Sequence, residues 1–100
     1  MKPTRFIAAA RDEFLAALAY YRDIDPELAR RFSREVEEVL QRAVAFPESG
    51  SPSAANTRRM YLRDFPFALV YRATDSAIVV FALAHHSRRP GYWRDRGTPP

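Results

Sequence analysis

Apolar and polar positions divide the chain into a helical first half and a strand-rich second half. Between positions 8 and 24, apolar side chains such as Phe14, Leu18 and Tyr21 recur three or four positions apart. This spacing places them on one face of a helix. The pattern therefore predicts a helix over residues 8–24, preceded by a short β-prone segment at residues 4–7.

A second helix is predicted from Pro26 to shortly before Pro47. Asp25 is a residue type favoured at the N-cap, and Pro26 suits the first helical position because its missing N–H would have no partner there. The apolar stripe of this helix consists of Leu28, Phe32, Val36, Val39, Leu40 and Ala43. Because only Asp25 separates the two helices, they are expected to form a tight αα-hairpin.

Three strands are predicted after a loop at residues 48–56. They lie at residues 59–63, 67–72 and 77–84, and their short connections favour antiparallel pairing of neighbours. The last of them is apolar on both faces, which predicts a central strand covered on both sides.

The order of these elements predicts an α+β fold. A short N-terminal strand and an αα-hairpin would pack with a three- to four-stranded antiparallel sheet, the hairpin covering one sheet face. A chain of 100 residues is expected to form a single domain, here residues 1–100, with residues 97–100 as a flexible tail.

The amino-acid composition excludes several kinds of site. The sequence contains no cysteine, which excludes disulfides, thiolate catalysis and thiolate metal sites. It shows no signal-peptide pattern and no apolar stretch of membrane-spanning length, so we expect a soluble cytoplasmic protein with no membrane partner.

The net charge of +4 is unevenly distributed. Residues 1–57 contain eight basic and nine acidic side chains, whereas residues 58–100 contain eight basic and three acidic ones, a net charge of +5. Lys2 is the only lysine, and arginine suits bidentate contacts with phosphate. The second half is therefore predicted to meet a polyanion or an acidic partner.

The densest chemistry lies in the sequence HHSRRPGYWR at residues 85–94, directly after the last predicted strand. Its imidazole, guanidinium, phenol and indole groups suit a phosphate backbone and a stacked base. On the first strand of the meander, alternation places Arg59, Tyr61 and Arg63 on one face. The two segments could thus form one basic, aromatic surface.

Five segments occur in a characteristic order: AYY at residues 19–21, LARRF at 28–32, PESG at 47–50, RDFPFALVYR at 63–72 and HHSRRPGYW at 85–93. Through their order and spacing, the chain resembles the RelE/ParE superfamily of bacterial toxins, which includes plasmid stabilisation proteins. The resemblance extends from about residue 7 to residue 96.

This resemblance implies the toxin component of a type II toxin–antitoxin module. Such a toxin forms a hetero-oligomer with a cognate antitoxin encoded by an adjacent gene, which blocks it. RelE-like members cleave mRNA on the ribosome, whereas ParE-like members inhibit DNA gyrase and are not nucleases. RNA cleavage of this kind requires no metal, and we expect no cofactor.

For RNA cleavage, the candidate catalytic residues are His86, Arg89 and Tyr92. His86 or Tyr92 would move protons and Arg89 would hold the phosphate. The candidate target-binding residues are Arg59, Tyr61, Arg63, Arg88 and Trp93.

Structural roles compete with these assignments. His85 and His86 should face opposite sides of the strand end, so at most one of them joins a given site. Tyr92 and Trp93 could instead close the edge of the core, since the turn at Pro90 would direct them back onto the sheet. Both interpretations remain open at this level.

The shortage of lysine favours a ParE-like or unclassified toxin with a nucleic-acid-linked target such as DNA gyrase. Ribosome-dependent relatives use lysines along with arginine and tyrosine, and arginine is a poor proton donor at neutral pH. One alternative is a RelE-like, ribosome-dependent mRNA endonuclease. A second alternative is a non-toxic basic binding module that retains the fold.

Overall fold

A computed structural model describes residues 2–96 of the chain. The predicted flexible tail at residues 97–100 lies outside the described residues. The elements in chain order are β1 (Thr4–Phe6), α1 (Ala8–Ile24), α2 (Pro26–Ala45), β2 (Ser51–Ser53), a 3₁₀ turn (Ala54–Asn56), β3 (Thr57–Tyr61), β4 (Phe67–Ala73) and β5 (Ile78–His85). The α+β class and the helical hairpin are confirmed.

The five strands form one mixed sheet in the order β1-β5-β4-β3-β2. β1 pairs with β5 in parallel, and the other neighbours are antiparallel. The expectation of three or four strands, all antiparallel, was therefore wrong in both respects. The direction of a three-residue strand depends on where the helical hairpin returns the chain, which local periodicity does not encode.

The additional strand, β2, lies within the segment predicted as a loop. It contains Pro52, pairs with β3 and forms one edge of the sheet. Proline is tolerated in an edge strand because its missing N–H need not take part in a ladder. The proline and serine residues of this segment are also typical of loops, so its composition alone predicts a loop.

The helices begin and end close to the predicted positions. The Asp25 carboxylate accepts a hydrogen bond from the Glu27 N–H at 3.0 Å, which caps α2. The apolar stripe of α2 faces the sheet, and Phe32 is fully buried. The Phe32 ring lies 5.1–5.9 Å, centroid to centroid, from four other aromatic rings, those of Phe14, Tyr21, Phe65 and Phe67. This aromatic cluster is the centre of the helix-facing core.

The opposite face of the sheet carries a second, smaller core. Val70 and Phe81 are among its buried members, and Trp93 closes it from beyond the sheet. After β5, the chain turns back over this face through residues 87–96, called here the C-terminal strap. β5 thus lies between β1 and β4 with cover on both faces, as its apolar sequence predicts. Within residues 2–96, no helix is long and apolar enough to cross a membrane.

Candidate functional site

A pocket of about 270 Å³ opens where β3, the end of β5 and the C-terminal strap meet. We call it the strap pocket. Seven predicted site residues line it: Arg59, Tyr61, His86, Arg88, Arg89, Tyr92 and Trp93. The predicted convergence of β3 with the terminal motif therefore occurs, with Arg63 as the one predicted residue outside it.

The rim of the pocket combines aromatic rings and cations. Tyr61 is half exposed, and its ring meets the exposed His86 ring edge-to-face with 5.8 Å between centroids. The Arg59 guanidinium carbon lies 5.8 Å from the Tyr61 ring centroid. This side of the pocket can present flat rings and positive charge to a ligand.

The two histidines at the end of β5 have different surroundings. The His85 ring packs edge-to-face on Phe67 of the helix-facing core, 5.0 Å between centroids. Its Nδ1 accepts a hydrogen bond from the Ser87 N–H at 3.0 Å. His86 instead contacts Tyr61. The two rings thus contact different sides of the sheet, as alternation predicts.

Tyr92 is held by a carboxylate that the sequence analysis did not select. Its hydroxyl donates to Glu13 Oε2 at 2.6 Å. Burial raises the pKa of the Tyr92 hydroxyl well above its ordinary value, and the hydrogen bond to Glu13 raises it further. The phenol therefore stays neutral at physiological pH and is a poor proton acceptor.

Glu13 also binds the strap and the sheet edge. Arg96 forms a two-pronged ion pair with it, Nη1 to Oε1 at 2.9 Å and Nη2 to Oε2 at 3.1 Å. The Leu83 N–H donates to Oε1 at 3.2 Å, and Arg96 Nη1 also donates to the Phe81 carbonyl at 3.0 Å. In the described part of the chain, β1 pairs with β5 only at positions 78–80. The Glu13 and Arg96 side chains therefore bond to backbone groups of β5 that lie beyond the end of β1.

No sequence signal identifies Glu13 as part of this site. It lies on α1, 79 positions before Tyr92, and an acidic residue on a helix is ordinarily solvated. Only the fold brings it beneath the strap.

The structure corrects the role predicted for Trp93. Only 4 % of the residue is exposed, and it belongs to the second core. An indole face buried in this way cannot stack on a base, so the interpretation that Trp93 closes the core is the correct one. The residue nevertheless borders the strap pocket.

Arg63 also differs from the prediction. β3 ends at Tyr61, so the alternation that would have put Arg63 beside Arg59 does not continue that far. Its guanidinium lies 3.5 Å from Asp64, 3.7 Å from Glu35 and 4.0 Å from Glu38. These pairs tie Arg63 to α2 and to its own turn, away from the strap pocket.

The other two arginines that line the strap pocket, Arg88 and Arg89, belong to the strap itself. The Arg88 guanidinium carbon lies 3.8 Å from the Tyr92 ring centroid, a cation–π contact, and its Nη1 is 3.8 Å from Glu13 Oε2. Within residues 2–96, Arg89 forms no ion pair.

No group of three or more His, Asp or Glu in the described chain is arranged to hold a metal ion. The strap pocket is suited to binding an anion.

Comparison with known proteins places this chain in a family. The family model described as "ParE toxin of type II toxin-antitoxin system, parDE" matches residues 5–90. Toxin ParE2 of Mycobacterium tuberculosis is 32% identical over 80 residues, in strain CDC 1551 / Oshkosh and in strain ATCC 25618 / H37Rv. The alignment covers 79% of this chain and 76% of that toxin.

A solved structure has the same fold. The chromosomal ParDE TA system from P. aeruginosa contains a chain that superposes with a TM-score of 0.71 at 17% sequence identity. The match covers 85% of this chain and 96% of that one.

Proposed function

Because this chain belongs to the ParE toxin family of type II toxin–antitoxin systems, we propose that it arrests growth by binding DNA gyrase rather than by cutting mRNA. ParE-like members of the superfamily, as noted for the resemblance above, inhibit gyrase. The toxin family itself is established by the matches; the target is our proposal.

The state of Tyr92 carries this proposal. An RNA-cleaving site needs one group to remove the proton of the attacking 2′-hydroxyl and another to protonate the leaving oxygen. Tyr92 already donates its proton to Glu13 at 2.6 Å, and its pKa is raised. It is therefore neither a free base nor a free acid.

The other candidate catalytic residues do not replace it. Arg89 can hold an anion but is a poor proton donor at neutral pH. His86 is exposed and lies against Tyr61, and the pocket lining of the described chain offers it no carboxylate partner. A surface that binds its target without chemistry accounts for this arrangement better.

We propose further that the cognate partner is a ParD-type antitoxin with an acidic segment. The arginines of the strap pocket lie in the half of the chain with a net charge of +5. An acidic segment over them would neutralise the surface that meets the target. The working location is then the bacterial cytoplasm, where gyrase and a co-expressed antitoxin are both present.

Gyrase inhibition can be measured directly. Purified protein is added to gyrase, ATP and relaxed plasmid, and supercoiling is followed on agarose gels. We expect inhibition that disappears when the product of a neighbouring antitoxin gene is added first. A parallel reaction maps mRNA 5′ ends in a translating extract, where no new ends are expected.

The two readouts separate the alternatives. Unimpaired supercoiling together with codon-phased mRNA cuts, lost in His86→Ala or Arg89→Ala, would establish the RelE-like nuclease and overturn the proposal. If supercoiling and mRNA both stay intact and expression leaves growth unaffected, the non-toxic binding module is correct.

A further inference from the structure

A buried charge lies on the face of α2 that carries its apolar stripe. Glu35 is 5 % exposed, and within residues 2–96 it is the only buried Asp, Glu, Lys or Arg. Taking a carboxylate out of water costs free energy, and an apolar side chain of similar size is often equally stable at such a position. Packing of the core therefore does not explain why a glutamate lies there.

The Glu35 carboxylate bonds to the connection between β3 and β4, residues 62–66, called here the β3–β4 turn. Its Oε1 accepts a hydrogen bond from the Asp64 N–H at 2.7 Å. Its Oε2 lies 3.7 Å from Arg63 Nη2. A backbone donor within the turn thus has its acceptor on a different element, α2.

The β3–β4 turn also connects the two aromatic rings at the rim of the strap pocket. Tyr61 is the last residue of β3, directly before the turn. Pro66, the last residue of the turn, accepts a hydrogen bond through its carbonyl from the His86 N–H at 2.9 Å. The position of the turn therefore sets where both backbones lie, and with them the edge-to-face contact of the two rings at 5.8 Å.

We propose that Glu35 is a positioning residue for the rim of the strap pocket. Its carboxylate holds the Asp64 N–H and so fixes the β3–β4 turn, and the turn fixes Tyr61 and His86 relative to each other. Because Glu35 is buried, it acts on a target only through the turn. The consequence for inhibition rests on the proposed function, since the rim is the surface expected to contact gyrase.

The hydrogen bond from Asp64, rather than the ion pair or apolar packing, gives Glu35 this role. Leu62 and Phe65 of the turn are buried in the helix-facing core, but apolar burial is not directional. A hydrogen bond at 2.7 Å restricts both distance and angle. The Arg63 side chain is 68 % exposed, and ion pairs at such positions contribute little.

Two substitutions separate the hydrogen bond from the charge. Glu35→Gln keeps a side-chain oxygen that accepts from the Asp64 N–H and removes only the charge, whereas Glu35→Leu removes the acceptor at similar size. The matched control is Glu38→Gln, because Glu38 lies 4.0 Å from Arg63 but is exposed. All three should have urea midpoints close to that of the wild type, since apolar burial in Glu35→Leu offsets the lost bond. Glu35→Met takes the place of Glu35→Leu if that variant does not fold.

Nuclear magnetic resonance measures the turn and the rim without any target present. In Glu35→Leu, we expect the Asp64 amide to exchange with solvent about tenfold faster, the effect of losing one hydrogen bond. Nuclear Overhauser contacts between the Tyr61 and His86 rings should weaken in the same variant. Both readouts should stay at the wild-type level in Glu35→Gln and Glu38→Gln. Ring contacts of wild-type strength in Glu35→Leu, or equal losses in Glu35→Gln and Glu35→Leu, would overturn the positioning role.

The supercoiling assay measures the consequence for the target. The protein concentration that half-inhibits gyrase should rise about tenfold in Glu35→Leu, as for the loss of an important interface contact, and should equal that of the wild type in the other two variants. Unchanged inhibition by a Glu35→Leu protein whose ring contacts are lost would overturn the link between the rim and the target. If the wild type does not inhibit gyrase, the proposed function fails, while amide exchange and ring contacts still decide the positioning role.

Discussion

The two faces of the sheet are covered in different ways. Over one face, α1 and α2 cover an apolar core in which the Phe32 ring contacts four other aromatic rings. Over the other, the ten-residue strap lies on a smaller core that is closed by Trp93. The strap is bound to α1 through the Glu13 carboxylate, which accepts from both Tyr92 and Arg96.

The helix-facing core therefore contributes most to the stability of the fold, whereas the strap face carries the candidate site. Apolar burial on the helix-facing side is spread over many residues and needs no particular charge state. On the other face, the strap is held by hydrogen bonds from Tyr92 and Arg96 to the Glu13 carboxylate. The strap also forms one wall of the strap pocket. We therefore expect changes on the helix side to affect the whole fold, and changes around Glu13 to affect mainly the strap.

The largest expected effect is at Phe32. Phe32→Ala removes a fully buried ring from contact with four others and should lower the free energy of unfolding by about 3–5 kcal/mol. Urea denaturation followed by circular dichroism measures it. Leu15→Ala, at a half-exposed position of α1, should change stability by about 0.5 kcal/mol or less. Similar losses in the two variants would contradict the central role of the aromatic cluster.

Removal of the Glu13 carboxylate should release the strap. Glu13→Ala leaves Arg96, whose side chain is 21% exposed, without its counter-charge, and we expect a loss of about 3 kcal/mol. Trp93 should become accessible, so its emission should shift to the red and acrylamide should quench it more strongly.

The control for Glu13 is an exposed carboxylate on the other helix. Glu37→Ala should leave Trp93 emission unchanged, because Glu37 accepts a hydrogen bond from Gln41 on the same helix and has no other side-chain partner within residues 2–96. An unaltered Trp93 environment in Glu13→Ala would show that apolar packing alone holds the strap.

High pH should loosen the strap through Tyr92. The folded protein holds this phenol in its protonated form because its pKa is raised, whereas the unfolded chain releases the proton near pH 10. Stability is thus fully present below about pH 10 and falls as pH rises from there toward the raised pKa. The contribution of Tyr92 is up to about 1.4 kcal/mol per pH unit.

The Tyr92→Phe variant measures how much of the loss of stability at high pH is due to Tyr92. Tyr21 and Tyr71 also have raised pKa values, so the wild type should lose stability through all three. Urea midpoints between pH 9 and pH 11 should fall less steeply in Tyr92→Phe, while Tyr61→Phe, at a half-exposed position, should follow the wild type. Equal slopes in all three proteins would rule out Tyr92 as a titrating group in this range.

The smallest expected effect is at the turn within the strap. Gly91 has a φ of +73°, and a Cβ there would lie 3.1 Å from Arg94 Nη2. Gly91→Ala should cost about 1 kcal/mol because the left-handed conformation is unfavourable for alanine. Gly91→Asn should cost less, since asparagine adopts that conformation more readily. Chemical denaturation of both variants checks the order, and the reverse order would show that contact with Arg94 outweighs the backbone term.

Local sequence patterns were enough for the helices and for the character of the strands. The stripe of α2 and its Asp25 cap involve residues only a few positions apart, so the pattern and the structure share one geometric cause. The apolar run of β5 likewise indicates burial on both faces wherever the strand lies. The convergence of Arg59 and Tyr61 with the terminal motif followed from strand alternation and the meander.

Tertiary structure decided the parts that depend on distant partners. Arg63 pairs with α2 because β3 ends two residues before it, and Trp93 is buried because the strap turns back over the sheet. β1 joins β5 in parallel because of the path of the helical hairpin.

The sequence by itself thus determined the helices, the buried strands, the basic second half and the family resemblance, because each rests on residue order over short or fixed spacings. Only the fold decided that Glu13 would hold Tyr92 from 79 positions away. The partly buried Glu13 carboxylate meets the Tyr92 hydroxyl because the strap folds back over the start of α1. A contact between residues so far apart in sequence leaves no periodicity along the chain.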